Sequence, residues 1–411
     1  MKTIAAIPLL GAFATVAWLG FSSRMSHGFA PRQPIEHLAF DPLKKDQDIA
    51  FHEGRVKRDP AGAIGWSMLS GAYLARSREC DSYADAVKAE QAARRSLSLR
   101  VKGNLGGQTR LVNSLLQQHR FSDALATTEN ALKIWGREPQ LNQLHADILI
   151  EIGRYDEARA IASKVPEAFE DPSGKAVRAH LLTILGKPGQ ALVLLRQAYA
   201  VLDENVDATA ENLAWFQEKI GETLACMGRF SEAEGAFRQT LALYPRGYKA
   251  YANLTRLAAR RGDWPSVISY GDKSDAIAPM ADILALVGDA YAHQGQSAKA
   301  QEKYAQVVAL VGRPADGLHE VAPGGHGHTL DRQYAMFCAD HNRDLDAAYA
   351  CAIRDLQARR DIYAFDTLAW VCYRRGELDE AHKAIRKALA WGTQDPVLLD
   401  HAAKIDAAMT R

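Results

Sequence analysis

Three histidines crowd a short glycine-rich stretch, His319, His326 and His328, with Glu320 beside the first and Pro314 and Pro323 among them. Neutral imidazoles on such a segment can ligate zinc, copper or nickel, and Cys338 and His341 follow on a predicted helix. Glycine-rich loops do not hold ligands in place. A solvated loop is therefore the competing reading, and no metal ligand is assigned. A second chemistry is recognition. Lys249, Asn253, Arg256 and Arg260 recur at helical spacing and would present hydrogen-bond donors and positive charge along one stripe. Asp282 and Asp289, then Gln333 and Phe337, then Tyr363, Asp366, Trp370 and Tyr373 mark the matching stripes of later helices. Aromatic and arginine side chains are the usual anchors of recognition surfaces; the alternative for Trp370 and Tyr373 is packing beneath the terminal helix. Catalysis has no comparable signal. The sequence holds no glycine-rich phosphate loop before a basic residue, no nucleophile elbow and no His-Glu-x-x-His pair. The paired carboxylates Asp156-Glu157 and Asp379-Glu380 fall where helices begin, and capping accounts for them. No enzymatic reaction and no cofactor are expected.

The elements that position these stripes repeat. Gly153 to Ala158 reads Gly-Arg-Tyr-Asp-Glu-Ala, and the phrase returns at Gly228 to Ala233 and at Gly376 to Ala381. Looser copies run from Arg120 to Ala124 and from Gly295 to Ala300, with related corners at Gly186 and Gly262. Each phrase suits the corner of a helical hairpin. Glycine ends the first helix because it alone enters the left-handed region without a side-chain penalty. An apolar ring or Leu follows (Tyr155, Phe230, Leu378), then Asp or Ser as the expected cap, then Glu at the positive end of the next helix dipole. The closing Ala is small enough to let two helices approach. The first helix of each hairpin has its own signature. Trp66, Leu69 and Tyr73 share one face, and Ile220-Gly221 with Leu224, Val287-Gly288 with Tyr291, and Leu368-Ala369 with Cys372 repeat the pattern.

The combination of Trp, Leu-Gly, Tyr, Ala, a bulky residue and a closing Pro (Pro245, Pro279) resembles the tetratricopeptide repeat, a unit of about 34 residues. Ala124, Ala158, Ala191, Ala233, Val267, Ala300, Ala348 and Ala381 mark successive corners, mostly about 33 or 34 residues apart. Three departures stand out: extra residues around Cys80 to Tyr83, and overlong steps from Ala191 to Ala233 and from Ala300 to Ala348. At Ala347 and Ala348 the register is ambiguous by one residue. The resemblance implies an all-α, right-handed superhelical solenoid of about nine hairpins, in which neighbours bury one another's apolar faces. It also implies a concave groove lined by first helices, where a protein or peptide partner would meet Lys249, Asn253, Arg256, Arg260, Phe337, Tyr363, Trp370 and Tyr373. The family's clamp for a terminal carboxylate is not supported, because Lys249, Asn253 and Arg256 share one unit.

The organisation expected from these marks is a signal or anchor at 1–24, a lead-in linker at 25–61, and repeat arrays at 62–205 and 206–312. A Gly/His-rich loop at 313–328, repeat units at 329–395 and a capping helix at 396–411 complete it. Leu398, Leu399, Ala402 and Ile405 would form the apolar face of that cap. Lys2 precedes an uncharged apolar run from Thr3 to Phe21, and three readings compete for it: an uncleaved membrane anchor, a cleaved secretory signal, or a buried helix. No Cys lies near the run, which excludes a bacterial lipoprotein anchor. An extracytoplasmic, periplasmic array is expected. With 50 basic and 49 acidic residues and a net charge of +1, a general nucleic-acid binder is not expected. Five cysteines without metal-like spacing read as buried small side chains, with a Cys338–Cys351 or Cys351–Cys372 bridge conceivable. A metal-handling accessory protein built on the histidine loop is the rival functional class.

Overall fold

A computed structural model describes residues 40–312 and 327–410. Contacts divide the chain into residues 1–36, which lie outside the described residues, and residues 37–411. The described part of the second unit is twenty α-helices and one short 3-10 turn, with no β-strand among the described residues. Helix α1 (Lys44–Arg58) leads in. Four helix pairs follow: α2 (Ala63–Cys80) with α3 (Tyr83–Leu99), α4 (Leu105–Gln117) with α5 (Phe121–Trp135), α6 (Pro139–Glu151) with α7 (Tyr155–Lys164), and α8 (Pro172–Ile184) with α9 (Pro188–Asp203). Next come α10 (Ala210–Cys226) with α11 (Phe230–Leu243), α12 (Tyr248–Arg260) with α13 (Trp264–Asp275), and α14 (Ala281–His293) with α15 (Ser297–Val311). Then α16 (Gly327–Asp340) pairs with α17 (Leu345–Ala358), and α18 (Ile362–Arg375) with α19 (Leu378–Leu389), before the terminal α20 (Pro396–Met409).

The corners obey the repeated phrase. Gly153, Gly186, Gly228, Gly262, Gly295 and Gly376 all take positive φ, between 69° and 81°. Five residues after each sits a small side chain, and Ala158, Ala191, Ala233, Val267, Ala300 and Ala381 are buried, none more than 2% exposed. In first helices a missing side chain makes room for a ring. A Cβ on Gly221 would lie 2.5 Å from the Phe237 ring of α11.

Four local expectations change. The first hairpin has no insertion: Asp81 takes the left-handed position at φ 52°, and Ala86, five residues on, is fully buried. Asp156, Ser231 and Asp379 are not caps, because α7, α11 and α19 already begin at Tyr155, Phe230 and Leu378. Instead the arginine of the phrase clasps its glutamate across the first turn, Arg154 Nε to Glu157 at 2.6 Å and Arg229 Nε to Glu232 at 2.7 Å. The doubtful register resolves to Ala348, which is fully buried, because Asn342 and Asp344 both adopt left-handed conformations and lengthen that corner by one residue. The lead-in is not wholly linker. Its second half is α1, whose Ile49 and Val56 stand two turns apart and bury against Leu69, Tyr73 and Leu74 of α2. At the other end Leu398, Ala402 and Ile405 of α20 are buried as expected, while Leu399 is 41% exposed on the next stripe.

The array also touches itself across long sequence distances. Ile362 N–H at the start of α18 donates to the Tyr155 hydroxyl at 2.9 Å, and Arg360 N–H donates to the Ile152 carbonyl at 3.1 Å. Trp391 meets the Tyr155 ring edge-on at 5.2 Å. One apolar cluster joins Leu149, Tyr155, Phe169 and Ile184 to Ile362, Ile385 and Leu398. A second seam is ionic. Lys45 bonds Glu79 at 2.5 Å, the Tyr244 hydroxyl at 2.6 Å and Glu211 at 3.0 Å, and Arg246 reaches Glu79 at 2.7 Å. Corners of early pairs therefore abut connections between late ones.

Candidate functional site

The first helices of the middle pairs turn a continuous row of polar side chains to one face. Asp147 and Glu151 on α6 face His180 on α8, with His180 Nδ1 3.6 Å from Asp147. On α10, Lys219 Nζ donates to Glu222 at 2.8 Å, and Asn253 of α12 donates to the other Glu222 oxygen at 3.4 Å. Arg256, one turn along α12, donates to Asn253 at 2.8 Å and grips Asp282 of α14 through two nitrogens at 2.6 and 2.9 Å. Spacing explains the row: Lys219 and Glu222 stand three apart, as do Asn253 and Arg256. Burial penalises each charge, yet at Lys219 and Glu222 opposite charges prevail. Burial lowers the Lys219 ammonium, but Glu222 and Glu218 outweigh it and hold the group above its usual range. Glu222 is held below the carboxylate range because Lys219 overcomes its desolvation. At Glu151 burial outweighs the nearby His180 and pushes the carboxyl up.

The structure divides the expected groove residues. Lys249, Asn253 and Arg256 lie together on α12, with Lys249 and Arg256 exposed and Asn253 half-buried. Arg260, one turn further, leaves the row. Its guanidinium lies 4.4 Å from the Phe230 ring and lines an open cleft of about 370 Å³ with Cys226, Pro396 and Leu399. Tyr363 is 37% exposed, and its hydroxyl points to Asp395 at 3.5 Å. Phe337 and Trp370 are core residues, 3% and 6% exposed, and cannot serve as groove contacts. Trp370 stacks on His401 of α20 at 4.1 Å and donates its indole N–H to Asp340 at 2.7 Å. Tyr373 stacks on Trp370 at 5.0 Å and is half-buried. The packing alternative weighed for that pair is the one realised. Asp289 is engaged too, accepting from Tyr304 at 2.7 Å and paired with His341 Nε2 at 2.9 Å. Glu218, Glu222, Lys219 and Glu151 were missed. Helical spacing from Asn253 back to the preceding first helix was their only sequence signal.

Two other candidates fare differently. His319, Glu320 and His326 lie outside the described residues, as does the side chain of His328. Among the described residues, no three or more His, Cys, Asp or Glu side chains gather as metal ligands would. All five cysteines are free. Burial pushes the thiols of Cys226 and Cys338 up to about 11, and those of Cys351 and Cys372 up to about 12. Such thiols are inert packing groups near neutral pH. Residues 1–24 also lie outside the described residues, and no described helix is long and apolar enough to cross a membrane.

A family model for the tetratricopeptide repeat matches residues 115–181, and a second model of the same description matches residues 219–281. No curated protein matches the chain. Among solved structures, the chain is similar to PilW, a widely conserved type IV pilus biogenesis factor, at 21% identity and TM-score 0.38 over 49% of this chain and 91% of that one. It is also similar to a tetratricopeptide repeat protein from Parabacteroides merdae, at 16% identity and TM-score 0.41 over 65% of this chain and 98% of that one. Both family matches fall on helix pairs with the same corner glycine and buried corner residue as their neighbours, so residues 115–181 and 219–281 are tetratricopeptide repeats.

Proposed function

We propose that the chain is an interaction scaffold: a right-handed superhelix of nine tetratricopeptide units that holds a protein or peptide partner against its first helices. The polar row from Asp147 to Asp282 carries the reading. Its members present hydrogen-bonding groups at regular intervals on successive helices, and Lys249 and Arg256 remain exposed at its centre. Such spacing suits an extended chain, whose own polar groups recur along its length. Tyr363 continues the surface, while Trp370 and the half-buried Tyr373 stack on each other beneath it. Residues 1–24 tether or export the array, which then works on the extracytoplasmic side of a membrane.

Crosslinking in intact cells, followed by identification of what is attached, tests the scaffold. Arg256→Ala should reduce capture of those partners with helix content unchanged, because Arg256 is exposed and packs no core. Recovery of the same partners at the same yield would remove the middle first helices from the site. A reporter fused to the carboxyl terminus should be active only outside the cytoplasm; activity inside would refute the placement.

A further inference from the structure

One buried charge in the array lacks a hydrogen bond that its surroundings could supply. Glu218 on α10 is 6% exposed, and its Oε1 has no hydrogen-bond partner. The nearest cation, Lys219, stays 3.8 Å away and is committed to Glu222 at 2.8 Å. Leaving a buried carboxylate oxygen without a donor is costly, and a protein usually satisfies such a group or neutralises it. Burial accordingly pushes the Glu218 carboxyl upward.

Glu218 lines a pocket of about 160 Å³ where α10, the connection from Tyr244 to Gly247 and the start of α12 meet the ends of α2 and α4. Trp215 forms one wall and is 43% exposed; Tyr248 forms another. Aromatic faces attract cations, and Lys219 already sits 5.8 Å above the Trp215 ring. The other carboxylates of the pocket are engaged. Glu79 is held by Lys45 and Arg246, and Glu211 by Lys45. Arg78 and Lys249 reach the rim from exposed positions, while Glu218 lies buried within. The volume falls below the roughly 300 Å³ at which drug-sized sites begin, and suits one extended side chain.

We propose that this pocket binds a single aliphatic cation, the ammonium of a lysine side chain or free amine or the guanidinium of an arginine. Glu218 receives its N–H groups and Trp215 and Tyr248 cover its stem. The lysine source rests on the scaffold reading; the cation site itself does not.

Calorimetric titration of the full chain tests it with three probes: 1,5-diaminopentane, N-acetyl-lysine methylamide and succinate. Both cations should bind saturably, and Glu218→Gln should weaken them about 10-fold or more, the loss expected when a charge-assisted hydrogen bond becomes neutral. Trp215→Ala should weaken them as well while helix content holds, since that ring is partly in solvent. Binding of the diamine alone supports the site with a free amine as its ligand; binding of the lysine derivative too supports a partner's side chain. Preference for succinate, no cation binding, or equal affinity in Glu218→Gln overturns the proposal. Partner capture measured separately with Arg256→Ala keeps the scaffold reading independent of the result.

Discussion

Two corner glycines that look alike in sequence should differ sharply when changed to alanine. Gly186 and Gly228 occupy the same place in their hairpins, with φ of 69° and 72°. Alanine in that left-handed region costs about 1–2 kcal/mol at either position. Their surroundings differ. A Cβ on Gly228 meets nothing within 4 Å, whereas one on Gly186 would lie 1.9 Å from the Gly392 carbonyl oxygen. Both partners in that collision are backbone, so neither can swing aside. Overpacking of this kind adds about 1–3 kcal/mol, and the total for Gly186→Ala becomes about 2–5 kcal/mol. Urea unfolding followed by circular dichroism would give the two midpoints. Hydrogen exchange around Gly392 would report local opening, because repeat arrays can melt in parts. Equal midpoints with unchanged exchange would refute the reasoning, since only contact between the early and late pairs distinguishes the two positions.

Asp355 is fully buried and accepts from Arg332 at 2.7 Å and Arg359 at 3.0 Å. Asp355→Ala leaves Arg332 only Asp361 at 2.8 Å and Arg359 only the same carboxylate at 3.8 Å, and should cost about 3–5 kcal/mol in a urea melt, with little salt dependence. Glu380→Ala, which breaks a pair exposed on both sides, should change the midpoint by less than about 1 kcal/mol. Trp370→Ala should lower stability by about 3–5 kcal/mol, because it empties a core position and frees Asp340; a midpoint equal to wild type would put Trp370 back at the surface. Burial lowers His341, but the hydrogen bond to Asp289 wins and leaves its folded pKa above 6.5. That stabilisation is complete below the unfolded value of about 6.5 and is lost as pH rises through the folded value, so the urea midpoint should fall as pH rises above about 6.5. His341→Gln should flatten the profile; an unchanged slope would refute the assignment.

Sequence reading succeeded where rules are local. Glycine in the left-handed region, a small residue five positions later and apolar residues at turns of 3.6 each need only a few neighbours, and Gly153, Ala158 and Leu224 behaved accordingly. The exceptions are also instructive. Asp81 can stand in for glycine because Asp tolerates φ above zero, and a glycine-based pattern passes over it. Tyr155 was grouped with Phe230 as a corner ring, yet its hydroxyl holds the start of a helix 207 residues away. No local spacing encodes that bond. For the same reason the polar row was legible one helix at a time, through Asn253 and Arg256, but not across helices. Glu222 and Glu218 gain meaning only beside α12 and α2. Trp370 was ambiguous because an aromatic at helical spacing serves a core and a surface equally well; α20 decides it.

Contact between the start of the array and its middle can be read in the native protein by zero-length carbodiimide crosslinking. Lys45 lies 3.0 Å from Glu211 across 166 positions of sequence, and Lys404 lies 2.7 Å from Asp400 within one helix. Both amide bonds should appear within single chains, identified by mass spectrometry of the digested monomer. Recovery of the Lys404–Asp400 link without any link from Lys45 to Glu211 or Glu79 would contradict an array that folds back upon itself.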